Sequence, residues 1–390
     1  MKVLVMSNTA GQGHNATGRA ICDMLVSMGA KADMIDSYEY INTALGEAVS
    51  HIYLMSTGLT PRFYGRAYRM AELQEKQGDY SPTYVVNKIL SVRIYDFISD
   101  YDPDVIVCTH VFSAIIANLL KKEGKTDAKI ISIITDFTIH PFWQEVDCGD
   151  WFVTPSFLID YSARVRGMDA SKFMHTGIPI HPKFSKRIEQ KEARRMLGMD
   201  ENKHTVLLMS GSMGYGNIGK HLKKIDRLDI DIQIIVVCGS NKRSYRKIKR
   251  MELNKPVYLH GFVNNVEVMM DAADCIITKP GGLTTSEAMA KELPMIIVNP
   301  IPGQEDRNTE FMLNNGLALK VSETFGIDEA LFYLYSTPGR IERMKENIRL
   351  MGKPNATYDL CRFIMDLEET KQIGDEGGKQ NESHIATEAE

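Results

Sequence analysis

Residues 274–308 read DCIITKPGGLTTSEAMAKELPMIIVNPIPGQEDRN, two strand-turn-helix units laid end to end. Cys275 to Thr278 is a short apolar run stopped by Lys279-Pro280-Gly281-Gly282, where proline ends the ladder and the glycines let backbone approach a bound group. Thr284 and Glu287, three residues apart, form a capping-box pattern that predicts a helix start near Leu283. The free amides and positive dipole end of such a start suit a phosphate. Pro294 closes that helix, and Met295 to Val298 reads as the next strand. Asn299 to Gly303 then turns into a second helix start bearing Gln304, Glu305 and Asp306. Gln304 and Glu305 can hydrogen-bond sugar hydroxyls, and Glu287, one turn into its helix, can reach a ribose diol. One glycine turn before a helix is an ordinary connection. Two in succession, each followed by polar side chains, point to a ligand.

Working outward, 390 residues exceed what one core usually holds, so two domains are expected. The 44% apolar content supports sizeable cores, while no stretch nears the ~20 unbroken apolar residues of a membrane span. Met1-Lys2 runs straight into the strand Val3 to Met6, so no signal peptide is expected. Cys22, Cys108, Cys148, Cys238, Cys275 and Cys361 have no paired spacing, which predicts free thiols in a reducing cytosol. The net charge of −4 is uneven, because 368–390 carries seven acidic and two basic residues. That tail lacks aromatics and periodicity and is expected to be disordered. The remainder is near neutral, which permits approach to an anionic membrane.

Apolar runs recur throughout. Val105 to Cys108 and Ile130 to Ile134 are continuous, as parallel strands covered on both faces are. Ala32 to Ile35, Trp151 to Thr154, His204 to Met209, Ile232 to Cys238 and Val257 to His260 extend the alternation with helical segments. His14, His110, Asp136, Gly211, Gly261, Gly281 and Gln304 all fall in the connection beyond the carboxyl end of a predicted strand. Open parallel sheets bind ligands at that edge, so the pattern describes an α/β protein with two sheets facing across a cleft.

The loop Gly11-Gln12-Gly13-His14-Asn15-Ala16 leaves three readings open. With Asp36 beyond the next strand it is a weakened dinucleotide fingerprint, and a nicotinamide enzyme follows. With His14 at a helix start, where the dipole favours the neutral ring, it presents a general base. His14 as a plain cap is the third. Ser210 to Gly216, with Gly211 and Ser212 foremost, is a second glycine loop suited to a pyrophosphate. Asn241 to Met251 carries six Lys or Arg but no reader motif, so it reads as a solvated helix face and not as a nucleic-acid site. Asp102-Pro103-Asp104 and Asp229-Ile230-Asp231 have metal-binding spacing, yet both precede their strands and lie at the wrong edge. No metal and no cofactor are expected. Between Tyr38 and Leu90 aromatics interleave with arginines, Phe63, Tyr64, Arg66, Tyr68 and Arg69 among them. That segment suits either a membrane interface or burial against the amino-terminal core.

Lys279-Pro280-Gly281-Gly282-Leu283-Thr284-Thr285-Ser286-Glu287-Ala288, then Pro302-Gly303-Gln304-Glu305, resembles the donor-site signature of the diacylglycerol glycosyltransferase and monogalactosyldiacylglycerol synthase family. That signature is related to the one in the transferase that adds N-acetylglucosamine to lipid I. Ala10 to Asn15 resembles the family's glycine-rich loop ending in what looks like its catalytic histidine. Thr135-Asp136 with His140 and Trp143 resembles its acceptor-facing group, and Thr176-Gly177-Ile178-Pro179 its closing of the first domain.

The resemblance implies the GT-B fold, two Rossmann-like domains, with a UDP-sugar donor, a diacylglycerol acceptor and a peripheral place on the inner face of the cell membrane. It implies His14 and Asp136 as catalytic residues. Gly211, Ser212, Phe262, Val263, Gly281, Gly282, Leu283, Thr284, Glu287, Gln304 and Glu305 would bind the donor. Gly13, His140, Trp143, Phe63 and Tyr64 would face the acceptor, while His110 reads as structural. It also implies an acceptor domain over 1–185, a linker over 186–203, a donor domain over 204–340 and terminal helices over 341–367 crossing back. A polyprenyl-directed N-acetylglucosamine transferase, a soluble UDP-sugar epimerase of the same fold and a non-catalytic nucleotide-sugar sensor stay open. Glucose and galactose are not distinguished.

Overall fold

The computed structural model describes residues 1–9, 12–41, 82–209, 211 and 217–368. Its apolar runs form strands because both faces of each are covered: Val105 to Cys108 are at most 1% exposed. The first sheet contains β1 (Lys2–Ser7), β2 (Lys31–Asp36), β3 (Val105–Cys108), β4 (Lys129–Ile133), β5 (Trp151–Val153) and β6 (Phe173–Met174). The second contains β7 (His204–Met209), β8 (Ile232–Val237), β9 (Val257–His260), β10 (Cys275–Thr278), β11 (Met295–Ile297) and β12 (Ala318–Lys320). Ile134, Thr154, Cys238 and Val298, expected as strand ends, each lie one residue beyond their strand.

Every strand pairing is parallel, in the orders β2-β1-β3-β4-β5-β6 and β12-β11-β10-β7-β8-β9. The chain winds outward from β1 in one direction and then returns to place β3 on its other side. It does the same at β7 and β10. Met6 pairs with Cys108 at the first reversal and Leu208 with Ile277 at the second. Loops diverge at such points and leave a crevice beyond the carboxyl ends of the strands.

The halves share packing. Phe137 and Ile178, from the first half, lie in one apolar cluster with Leu207, Ile235 and Ile276 of the second sheet. Phe137 and Phe311 have ring centroids 4.8 Å apart. The stretch expected as a linker is fastened to the second sheet. Arg194 donates from Nη2 to Asp274 at 2.9 Å and from Nε to the Ala272 carbonyl at 2.9 Å. Lys291 and Asp271, both almost fully buried, pair at 2.6 Å, and Asp271 also accepts the Ile188 N–H. Removing one member of such a buried pair typically costs about 3–5 kcal/mol. After the helix Arg340–Met351, the helical stretch 356–368 returns to the first sheet. Leu360, Cys361 and Ile364 pack there with Val3, Val5 and Leu25. Glu368, expected in the acidic tail, is instead helical and pairs with the Met1 amino group, while the rest of that tail, 369–390, lies outside the described residues.

Candidate active site at the facing crevice

His14 is the third residue of the helix Gln12–Ser27, which starts just beyond β1. Its Nδ1 lies 2.8 Å from the Thr109 carbonyl oxygen beyond β3 and 3.2 Å from Thr135 Oγ1 beyond β4. A carbonyl only accepts, so this contact assigns the proton to Nδ1 and leaves the lone pair on Nε2. Burial pushes the His14 pKa down, with the Asp136 charge opposing, so the ring is neutral near pH 7.

His110, read as structural, touches His14 edge to face with centroids 4.6 Å apart. It also caps the helix Val111–Lys122, accepting the Phe112 N–H on Nδ1 at 3.2 Å. Burial, then its two neighbouring imidazoles, hold its pKa well below the usual range. His140 uses the same device on Phe142 N–H, and burial followed by the Arg166 charge brings its pKa down to about 4. Three neutral imidazoles therefore stand along one side of the crevice.

The other side is built from main chain. The helix Gly282–Ala290 begins at Gly281, whose lack of a side chain leaves the first-turn amides without a side-chain cap. Thr284 is the third helical residue, so the expected capping box does not form. Thr285 and Ser286 instead donate back to the Gly281 and Gly282 carbonyls at 2.8 and 2.9 Å. Gly282 must be glycine because a Cβ there would sit 1.8 Å from the Thr135 carbonyl oxygen. Across the crevice, a Cβ on Gly13 would meet the Leu283 Cβ at 3.7 Å. Two helix N-termini therefore face one space, and their dipoles add at a bound anion.

The helix Gln304–Asn314 starts beside them after Gly303 at φ 96°, with Asp306 accepting the Gly303 N–H at 3.0 Å. Glu305 accepts the Ile301 N–H at 2.6 Å, and burial pushes its carboxyl pKa up while Lys279 opposes. Glu287 is half-buried, and its carboxyl is pushed up to about 8 by burial, with Lys183 opposing and Glu267 reinforcing. Gly211 lies beyond β7 at φ 64°, a conformation that favours glycine. Phe262 is 67% exposed beyond β9, and Val263 packs partly on the second core.

Asn308 was not singled out in the sequence and is the tie between the sides. Fully buried, it accepts the Phe137 N–H on Oδ1 at 2.8 Å. Its Nδ2 donates to Asp136 Oδ1 and to the Pro280 carbonyl, each at 3.0 Å. The one available signal was its spacing, one helical turn after Gln304.

Other expected residues sit elsewhere. Trp143 is 5% exposed and stands edge-on to Phe152 in the first core, so its ring fills that core instead of facing an acceptor. Asp36 accepts from Thr9 Oγ1 and from the Tyr38 and Glu39 amides, which commits it to a helix start and removes it as a ribose acid. Asp104 accepts the Lys2 N–H at the opposite sheet edge, and Asp231 pairs with Lys203. Among the described residues no His, Cys, Asp and Glu group is arranged to hold a metal. Phe63, Tyr64, Ser212 and the Gln304 side chain lie outside the described residues.

Comparisons with known proteins agree with this geometry. Residues 189–351 match the family Glycosyl transferases group 1. MurG of Acinetobacter baumannii shares the fold at a TM-score of 0.63 and 14% identity, covering 94% of this chain and 99% of that one. The protein is a GT-B glycosyltransferase. Residues 14–180 match the family Monogalactosyldiacylglycerol (MGDG) synthase. The chain is 26% identical to a processive diacylglycerol beta-glucosyltransferase of Bacillus pumilus, over 94% of each chain. It is 28% identical to the chloroplastic monogalactosyldiacylglycerol synthase 1 of Arabidopsis thaliana, over 95% of this chain and 72% of that one. Its first half thus resembles the monogalactosyldiacylglycerol synthases and its second half the group 1 glycosyl transferases, and the pairing marks a hexosyltransferase.

Proposed function

We propose that the protein transfers a hexose from a UDP-sugar to diacylglycerol, with inversion at the anomeric carbon, while resting on the inner face of the cell membrane. The observation that carries the chemistry is His14: its Nδ1 is committed to Thr109, and the helix that bears it faces the uncapped helix start at Gly281. The acceptor hydroxyl oxygen attacks the anomeric carbon as its proton passes to His14 Nε2, and the bond from that carbon to the UDP oxygen breaks. Asp136, whose charge already opposes the downward push on His14, offsets the imidazolium that forms. Main-chain amides and dipoles at Gly211 and Gly281-Gly282 take the negative charge of the departing UDP, a role preorganised donors fill without a metal. Gln304 and Glu305 hold the sugar, Glu287 the ribose, and Phe262 with Val263 the base. His140 lines the acceptor side. The acceptor chemistry is that named for the Bacillus and Arabidopsis relatives.

Among the described residues no helix is long and apolar enough to cross a membrane, which is compatible with a peripheral place. Incubation with diacylglycerol vesicles and radiolabelled UDP-glucose or UDP-galactose in separate arms tests the reading. A labelled glycolipid is expected in one arm. Label from UDP-N-acetylglucosamine on a polyprenyl acceptor, with both hexose arms blank, would replace it.

A further inference from the structure

Beyond β5 the chain forms a helical stretch whose outward face is apolar. Phe157–Ile159 turns once and continues as the helix Asp160–Val165. Ile159 and Ala163 point into the core at 4% and 0% exposure, while Phe157, Leu158, Tyr161 and Val165 stand out at 63%, 42%, 79% and 69%. The spacing i, i+1, i+4, i+8 puts those four on one face. Elsewhere among the described residues, exposed large apolar side chains come singly or in pairs along the sequence. Single ones are ordinary; a contiguous face marks a contact.

Charge and position narrow what it contacts. Arg164 is exposed and Arg166 half-buried, and neither forms an ion pair among the described residues. The one acid of the helix, Asp160, is occupied by His175 at 3.3 Å. The face is therefore apolar with a cationic border, the pattern of a surface that rests on anionic headgroups. It follows the carboxyl end of β5, on the sheet edge that bears His14 and Asp136, and Arg166 is close enough to depress the His140 pKa. Pairing with a second copy about a two-fold axis would bring like-charged arginines together, which disfavours that occupant.

We propose that Phe157, Leu158, Tyr161 and Val165 insert into a phospholipid surface, with Arg164 and Arg166 on its phosphates, and hold the acceptor side of the crevice against the bilayer. The surface deepens the diacylglycerol reading, because a lipid acceptor has to be taken from a bilayer, and it rests on that reading.

The full-length chain is sedimented with phosphatidylcholine vesicles, with and without phosphatidylglycerol, each containing diacylglycerol. Wild type is expected to sediment best with the anionic vesicles. A Phe157→Ser/Tyr161→Ser/Val165→Ser variant should partition about tenfold less, and Arg164→Glu should lose mainly the phosphatidylglycerol-dependent share. UDP binding and the thermal melt should be unchanged, since these side chains are exposed. Variants that sediment like wild type overturn the proposal, as do variants that change only self-association. If wild type binds through this face yet labels no diacylglycerol, the surface stands and the acceptor reading falls. If wild type and variant glycosylate vesicle diacylglycerol equally, the reading stands and the surface falls.

Discussion

At the reversal of the first sheet the polar groups are side chains, while at the reversal of the second they are mostly main chain. Beyond β1, β3 and β4 stand His14, His110 and Asp136, with His14 held by the Thr109 carbonyl. Beyond β7 and β10 stand Gly211, Gly281 and Gly282, where a missing Cβ is what matters and a helix start is left uncapped. The two sheets share one topological device and fill it differently: one half presents groups that titrate, the other presents dipoles that do not. The halves should therefore fail differently. Truncation in the first removes turnover and spares donor binding, and the second responds mainly to changes that move its backbone.

The largest effect tests that separation. His14→Ala should lower turnover by about 10²–10⁴-fold with donor affinity nearly unchanged, read by product formation beside UDP titration. In wild type the neutral ring is active, and burial pushes its pKa below the ordinary ~6.5. Activity should therefore persist on acidification past ~6.5 and fall only through that lowered pKa. Turnover equal to wild type would remove His14 from the chemistry, and an acid limb above ~6.5 would contradict the desolvated ring.

A smaller effect breaks the comparison by touching both halves at once. Asn308→Ala leaves the Phe137 N–H without its acceptor and frees both Asp136 and Pro280 from their shared donor. Orphaning one buried donor costs about 1–3 kcal/mol, so the melting temperature should drop. Turnover and donor affinity should fall together, unlike in His14→Ala. Asn308→Asp keeps the volume and an acceptor for Phe137 but sets a carboxylate beside Asp136, and is expected to be no better than alanine. Wild-type kinetics in both variants would show that the crevice is held by other contacts.

The legible parts of the molecule are those whose cause is local. Val105–Cys108 and Cys275–Thr278 read as strands because burial on both faces demands an unbroken apolar run. β6 and β12 escaped because edge strands of two and three residues have too few positions for a pattern. His14 was visible as a residue type at a helix start. Its partner was not, since a carbonyl at Thr109 comes from another strand end. Asn308 illustrates the limit, for its spacing from Gln304 along the helix does not reveal that Phe137 and Pro280 arrive from separate turns. Trp143 erred the other way: the resemblance implied an acceptor-facing aromatic, and the ring fills the first core instead.

Glu287, like Glu305, is a titrating side chain among the dipoles of the main-chain half, and it yields the smallest and most specific effect. Lys183 is already paired with Glu267 at 2.8 Å, so burial dominates and the carboxyl is pushed up to about 8. The folded pKa thus lies above the unfolded value of ~4.3. The native state keeps a proton that the unfolded chain releases, so this contribution to stability is full below ~4.3 and is lost as pH rises through about 8. Glu287→Gln mimics the protonated acid and should abolish that slope. Wild type should therefore lose stability relative to the variant between about pH 5 and about pH 9. Donor affinity should move oppositely: near neutrality an acid and an amide hold a diol comparably, while the ionised carboxylate accepts stronger bonds. The wild-type advantage should then grow by about fivefold toward alkaline pH. A wild-type to variant affinity ratio that stays flat through about 8 would mean that no ligand hydroxyl meets this carboxyl, and the ribose assignment would pass to another group of the second half.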